Sequence, residues 1–397
     1  MKKLLFLYWD SCFCCTDFLE AIADHYEENN DIQVRIVDIQ DPDLMDRDVL
    51  ISTIETNISS FKADSLFSFG FFPVISQECQ KKGILYLSWV FDSPVVNLYH
   101  RSARNDVNRI FLFDSNMVDE LLQLGYLHVY YLPMAVNPRR LEQFIPRDEE
   151  QRKYSAEVSF VGSLYSDKNS FYDDMVSRLS DHSHGYLDGL LNAQSLIYGY
   201  SFLQKCLPQD ILNEMTEKYP LPLTERGEES TEWLYSEYVL ARKLTSIERK
   251  EIISGLGRII PFRLYTTEKD FMCVGVENCG EVDYFNEMPY VFKCSKINLN
   301  ITLRSIQKGI PLRVFDIMGC GGFLLTDYRE DMLALFTPGE DYIYWEDKEQ
   351  IPELVQYYLS HDDERRSIAE NGKNTVIKFH TFRHRFEKML QIIQSDV

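Results

Sequence analysis

No apolar stretch in the sequence approaches the roughly 20 residues needed to cross a bilayer. The opening MKKLLFLYWDSCF fails as a signal peptide, because its apolar run from Leu4 to Trp9 is short and Asp10 ends it. Basic residues are also scarce: 41 Lys and Arg face 62 Asp and Glu, for a net charge of -21. A chain built to grip a phosphate backbone presents a basic face, so nucleic acid is disfavoured as the main partner. A small anionic ligand is not, since a nucleotide needs only a few local donors and a helix N-terminus. The 9 cysteines lack the paired C-x-x-C spacing of a zinc site. Cys12, Cys14 and Cys15 read instead as reduced thiols, and the expected compartment is the cytoplasm. There is no low-complexity tract and no short repeat, which sets aside fibres and solenoids.

What is present is ordinary globular composition, 45% hydrophobic and 26% charged, over 397 residues. That length exceeds what one core usually serves, so two domains are expected. In residues 1–150 short apolar runs (KLLFLYW, IQVRIVDI, SLFSFG, GILYLSWV, RIFLFD, HVYYLPMA) alternate with helical stretches, the rhythm of a parallel sheet covered on both faces. The charged segment PRRLEQFIPRDEEQRKY, with its two prolines, reads as the interdomain connection.

A second domain, 151–380, then opens on the strand AEVSFVGSLY and continues as a helical portion over about 171–256, with one break near Tyr219 to Pro222. Strands resume at RIIPFRLYTT, EVDYF, KINLNIT and FLLTD. The last segment, 381–397, is a helix expected to pack back on the N-terminal domain. Trp233, Tyr235 and Tyr238 in the helical portion fit either a sugar-stacking surface or, at helical spacing, a core.

The stretch LNITLRSIQKGIPLRVFDIMGCGGFLLTD, 299–327, combines strand, loop, helix and strand. Pro311 suits a first helical turn, leaving the amides around Ile310 to Arg313 available with Arg304 and Arg313 for a diphosphate. Asp316, one turn on, is placed to accept from a ribose diol. The same spacing also fits an ordinary proline-started helix with a glycine stop.

GIPLRVFD, GCGGFLLTD, LFTPGEDYIYW and the run from Tyr357 to Thr381 resemble the donor-binding half of CgeB-like, spore-maturation-type glycosyltransferases of the GT-B class. LSWVFDSP, FLFDSNMVDELLQLGYLHVYYLPMAVNP and SFVGSLY resemble the companion domain and its junction. The resemblance implies an α/β fold of two Rossmann-like domains facing a cleft, with the helical portion inserted early in the second. It implies a nucleotide-sugar donor, UDP favoured over GDP and dTDP, with Asp316 on the donor ribose. The acidic residue that the class often carries eight positions earlier is here Lys308, which serves the phosphates or is simply solvated. Gly162 and Ser163 fall in the loop that approaches the phosphates, or merely permit a turn. Val282, in the loop Cys279 to Tyr284, takes the base-contacting place.

The class acts without an essential divalent ion, and the lack of an Asp-x-Asp in a suitable loop agrees, so neither metal nor cofactor is expected. An inverting transfer needs a base near a strand end of the first domain: Asp92 and Asp10 are the candidates, each also a plausible turn residue, with His100 third. A retaining transfer would not need it, and the sequence leaves the stereochemistry open. The sequence does not name the acceptor: a protein, a glycan, a lipid-linked sugar and a small metabolite all stay open. The competing expectation is a scaffold that kept the fold and lost the chemistry.

Overall fold

Runs of Leu, Ile, Val and Phe become strands buried on both faces, as a parallel sheet under helices requires. The computed structural model describes residues 1–10, 12, 14–29, 32–166, 171–224 and 227–395. The chain divides into two units: Met1–Asn137 with Leu223–Glu229 and Phe379–Val397, and Pro138–Pro222 with Ser230–Lys378. No helix among the described residues is long and apolar enough to cross a membrane.

Unit 1 holds β1 (Lys3–Tyr8), β2 (Gln33–Asp38), β3 (Ser65–Phe69), β4 (Leu85–Val90), β5 (Asn108–Leu112) and β6 (Val129–Tyr131). They pair in parallel in the order β2-β1-β3-β4-β5-β6. The strand order therefore reverses between β1 and β3, a switch point beyond whose carboxyl ends open α/β sheets bind ligands. The core is aromatic: Phe18, on the helix Cys14–Asn29, lies 4.9 Å from Phe67, 5.6 Å from Phe69 and 5.4 Å from Trp89. The helix Phe382–Ser395 joins this core through Phe382 and Phe386, 6.2 and 5.8 Å from Phe18. Its buried Arg385 donates to the carbonyls of Pro133 and Met134. Cys12, Cys14 and Cys15 are buried thiols outside any disulfide, at the head of the first helix.

Unit 2 holds β7 (Ala156–Val161), β8 (Phe262–Tyr265), β9 (Val276–Asn278), β10 (Ser295–Asn300), β11 (Leu324–Asp327) and β12 (Ile343–Trp345). All pair in parallel in the order β12-β11-β10-β7-β8-β9, which puts the switch point between β7 and β10. One expected strand is absent: EVDYF, 281–285, is a turn. Tyr and Phe there suggested a strand, but the Asp283 carboxylate accepts from the amide and side chain of Asn286 at 2.7 and 2.8 Å, closing the backbone locally.

The helical portion has more breaks than its sequence suggested. Its helices are Phe171–Val176, Asp181–Gln194, Gln209–Lys218, Thr231–Leu234 and Ala241–Gly257, with Tyr235–Leu240 wound more widely as a π-turn between the last two. The long break after Gln194 is closed by that buried side chain, which donates to the carbonyls of Ile197 and Tyr200 and accepts from the Phe202 amide. Tyr235 belongs to the core of this portion, Tyr238 packs against that core, and Trp233 meets Tyr238 edge-on at 5.8 Å.

Candidate functional site

At the carboxyl end of β10 a loop, 301–311, leads to the helix Leu312–Gly319. Pro311 occupies its N-cap and offers no side-chain oxygen, so the first-turn amides receive no side-chain cap. Asp316, buried at 5% exposure, accepts from the Tyr284 hydroxyl at 3.0 Å through Oδ1, while Oδ2 faces Arg313 Nη1 at 3.3 Å. The guanidinium of Arg140 sits 5.1 Å over the Tyr284 ring and 5.5 Å over Phe285. The turn containing half-buried Val282 is thus brought against the helix that carries Asp316 and Arg313. Tyr284, which sequence reasoning passed over, makes that connection.

The loop before the helix is held from below by a buried polar network. Asp327, at the end of β11, accepts from the Thr302 amide at 3.0 Å and hydroxyl at 2.8 Å, and from Arg329 Nε at 2.8 Å. Burial alone would raise its carboxyl, but Arg329 and Thr302 hold it below the usual range. Arg329 in turn donates to the carbonyls of Ile306 and Gln307.

Two expected phosphate ligands are engaged elsewhere. Arg304 is buried, pairs bidentately with Glu248, donates to the Ile197 carbonyl at 2.8 Å and lies 4.0 Å over the Tyr198 ring. With its charge neutralised it braces the loop rather than presenting a cation. Lys308 makes a surface pair with Glu330 at 3.3 Å, of the kind that contributes about 0–1 kcal/mol.

The loop after β7 is also occupied. Ser163 Oγ and the Leu164 amide both donate to the Glu268 carboxylate at 2.8 Å, and Thr266 and Thr267 add their hydroxyls. Burial opposes ionisation of Glu268, yet the Thr266 and Ser163 hydroxyls hold its carboxyl below the usual range. A Cβ on Gly162 would come within 3.2 Å of the Phe160 ring, so glycine keeps this turn tight against β7. Between this loop and the one after β10 stands Arg249, which the sequence did not single out.

In unit 1, Asp10 and Asp92 each stand two residues beyond a strand, Asp10 after β1 at the switch point and Asp92 after β4. Asp92 is exposed, yet the surrounding chain partly desolvates its carboxyl, and Asp41 and Asp43 add like charge; together these push it up. Asp10 is exposed. His100 is buried and caps the short helix Arg101–Arg104, its Nδ1 accepting from the Ser102 amide at 3.0 Å.

Two six-stranded parallel Rossmann-like sheets in tandem, one carrying an inserted helical portion, define the GT-B fold. Residues 245–391, which span β8 to β12 and include Asp316, match the family described as glycosyl transferase-like. The chain is similar in fold to HepE from Anabaena, solved with UDP and glucose, at 9% identity and a TM-score of 0.53 over 100% of both chains. It is similar to a glycosyltransferase from Rickettsia africae at 10% identity and a TM-score of 0.52, over 100% of this chain and 98% of that one. It is likewise similar to sucrose-phosphate synthase from Thermosynechococcus elongatus at 10% identity and a TM-score of 0.51, over 100% and 99%. Identities this low carry the fold alone. No curated protein matches the chain.

Proposed function

We propose that the chain is a cytoplasmic, CgeB-like glycosyltransferase that moves a sugar from a nucleotide-sugar, a UDP-sugar first among the candidates, onto an acceptor hydroxyl of a protein, glycan or lipid-linked sugar. The observation that carries the reading is the Tyr284–Asp316–Arg313 arrangement beside an uncapped helix start at the β7/β10 switch point. Asp316 accepts from the ribose diol, the backbone at Val282 meets the base edge, and Arg313 with the first-turn amides receives the diphosphate. That Anabaena HepE was solved with UDP supports the choice of nucleotide. All nine cysteines lie outside any disulfide, which supports a reducing compartment.

The acceptor oxygen attacks the anomeric carbon, the bond from that carbon to the diphosphate oxygen breaks, and the nucleoside diphosphate leaves. In an inverting transfer the hydroxyl proton passes to Asp92, whose carboxyl is raised by desolvation and by the neighbouring Asp41 and Asp43, with Asp10 second. Charge on the leaving group is met by Arg313 and backbone amides, so transfer proceeds in EDTA. The direct test is a thermal-shift series with UDP, GDP, dTDP and CMP. A nucleotide at about 100 times its Kd stabilises the native state by about 2.7 kcal/mol, and one of the four is expected to raise the melting temperature selectively. A flat response to all four at millimolar concentration sinks the reading.

A further inference from the structure

Three arginines lie buried around the carboxyl ends of β7, β10 and β11, and they are compensated differently. Arg304 has the carboxylate of Glu248 and Arg329 that of Asp327. Arg249, on the helix Ala241–Gly257 and 8% exposed, has neither. Its Nε and Nη2 donate to the carbonyl of Ile301, its Nη1 to the carbonyl of Ser163, and the rings of Phe160 and Tyr165 lie 5.1 and 4.9 Å from its guanidinium. Among the described residues no carboxylate stands within ion-pairing distance of it. Asp327 and Glu268 act on it only at longer range, and each is already bound, one by Arg329 and Thr302, the other by Ser163, Leu164 and Thr266.

A buried charge without a counter-ion is expensive, several kcal/mol even after relaxation, and buried charges are normally paired. Burial does depress the Arg249 guanidinium below its usual value, yet arginine stays protonated. The position of this charge accounts for its retention. Ser163 follows β7 and Ile301 follows β10, the two strands on either side of the switch point. One side chain therefore ties together both loops of the crevice and places a positive charge behind them. Tyr165, whose ring it touches, has φ 50, a left-handed backbone that a non-glycine residue adopts only when its surroundings impose it.

We infer that Arg249 is a positioning residue for an anionic ligand group at the β7/β10 crevice, setting the spacing of the two loops and supplying the counter-charge for the diphosphate of a nucleotide. The inference rests on the reading under Proposed function and adds a residue outside the loop and helix start that reading uses.

The test compares UDP with uridine, which lacks the phosphates, by calorimetric titration on the full chain and on Arg249→Met, Arg249→Gln and Arg249→Lys. Arg249→Met and Arg249→Gln are expected to weaken UDP about tenfold or more, the scale of a charge-assisted contact, while uridine changes less than about twofold. Arg249→Lys, which restores charge without the fork, is expected to recover most of the difference. If UDP and uridine weaken together, or UDP binding is unchanged, Arg249 is a brace and the inference falls. Should Arg249→Met fail to fold, the Lys and Gln variants are read in the same way. If the unsubstituted protein binds UDP no better than uridine and GDP no better than guanosine, the fault lies with the nucleotide reading itself and takes this inference with it.

Discussion

The two sheets end in opposite chemistry. Beyond the strand ends of unit 2 stand Arg249, Arg304, Arg313 and Arg329, three of them buried; Arg249, Arg304 and Arg329 are tied into loops, while Arg313 pairs with Asp316 on its own helix. Beyond the strand ends of unit 1 stand Asp10, Asp41, Asp43 and Asp92, and among the described residues none of these has a cation within ion-pairing distance. Arg304 and Arg329, neutralised by Glu248 and Asp327, make the loops rigid, and Arg249 leaves a positive charge behind them. Asp43 and Asp92, partly desolvated and beside other carboxylates, hold their protons more tightly than usual, which suits a group that takes up a proton. A net charge of -21 is thus compatible with an anionic donor, because Arg249 and the uncapped helix start put local positive charge where one sheet changes direction.

The largest effect that bears on this contrast is expected from Asp92→Asn. As the general base of an inverting transfer, its loss lowers kcat by roughly 10²–10⁴ while the Kd for UDP stays as it was. Stability moves the other way. The native carboxyl is raised, so the native state binds the proton more tightly than the unfolded chain, and ionisation destabilises as pH rises from below about 4 through the native value. Asp92→Asn therefore raises the melting temperature at pH 7, and the gain disappears in more acidic buffer. An unchanged kcat with the same stability gain would leave Asp92 a turn residue and move the role to Asp10.

Next in size is Glu248→Gln in unit 2. It strands the buried Arg304 guanidinium, and breaking one side of such a pair costs about 3–5 kcal/mol. Urea unfolding reads this directly. A loss under about 1 kcal/mol would show that the strand ends of unit 2 are as loosely held as those of unit 1. Asp316→Ala follows, with the Kd for the selected nucleoside diphosphate rising roughly 10- to 100-fold, the equivalent of one charge-assisted hydrogen-bonded pair.

Much of this architecture can be read along the chain. The βα rhythm is visible because strands buried on both faces are short, nearly continuous apolar runs, and the helix 312–319 announces itself through Pro311 and the glycines after it. The arginines are harder. Arg249 looks like a solvated residue on an amphipathic helix until the fold brings to it carbonyls 52 and 86 residues away. Arg304 looks like a phosphate ligand until Glu248, 56 residues back, claims it. Ser163 is read as a donor to phosphate because its partner Glu268 lies 105 residues on. Residue type announces the chemistry available, whereas tertiary pairing decides which charges remain for a ligand, and no local pattern records that pairing.

The smallest expected effect separates the two roles of the turn at 281–287. Tyr284 donates to Asp316 Oδ1 and stacks under Arg140, so Tyr284→Phe removes the hydroxyl and keeps the ring. If the hydroxyl orients Asp316 for the ribose, UDP binding weakens by about 0.5–1.5 kcal/mol, a factor of roughly 2 to 10. The corresponding deoxyribose nucleotide, with one hydroxyl fewer to be read, loses less. If instead the hydroxyl only occupies a carboxylate oxygen that the ribose must win, Tyr284→Phe tightens UDP. Titration of both nucleotides on this one variant therefore distinguishes an oriented acceptor from a blocked one, and it does so without disturbing the arginines that distinguish unit 2 from unit 1.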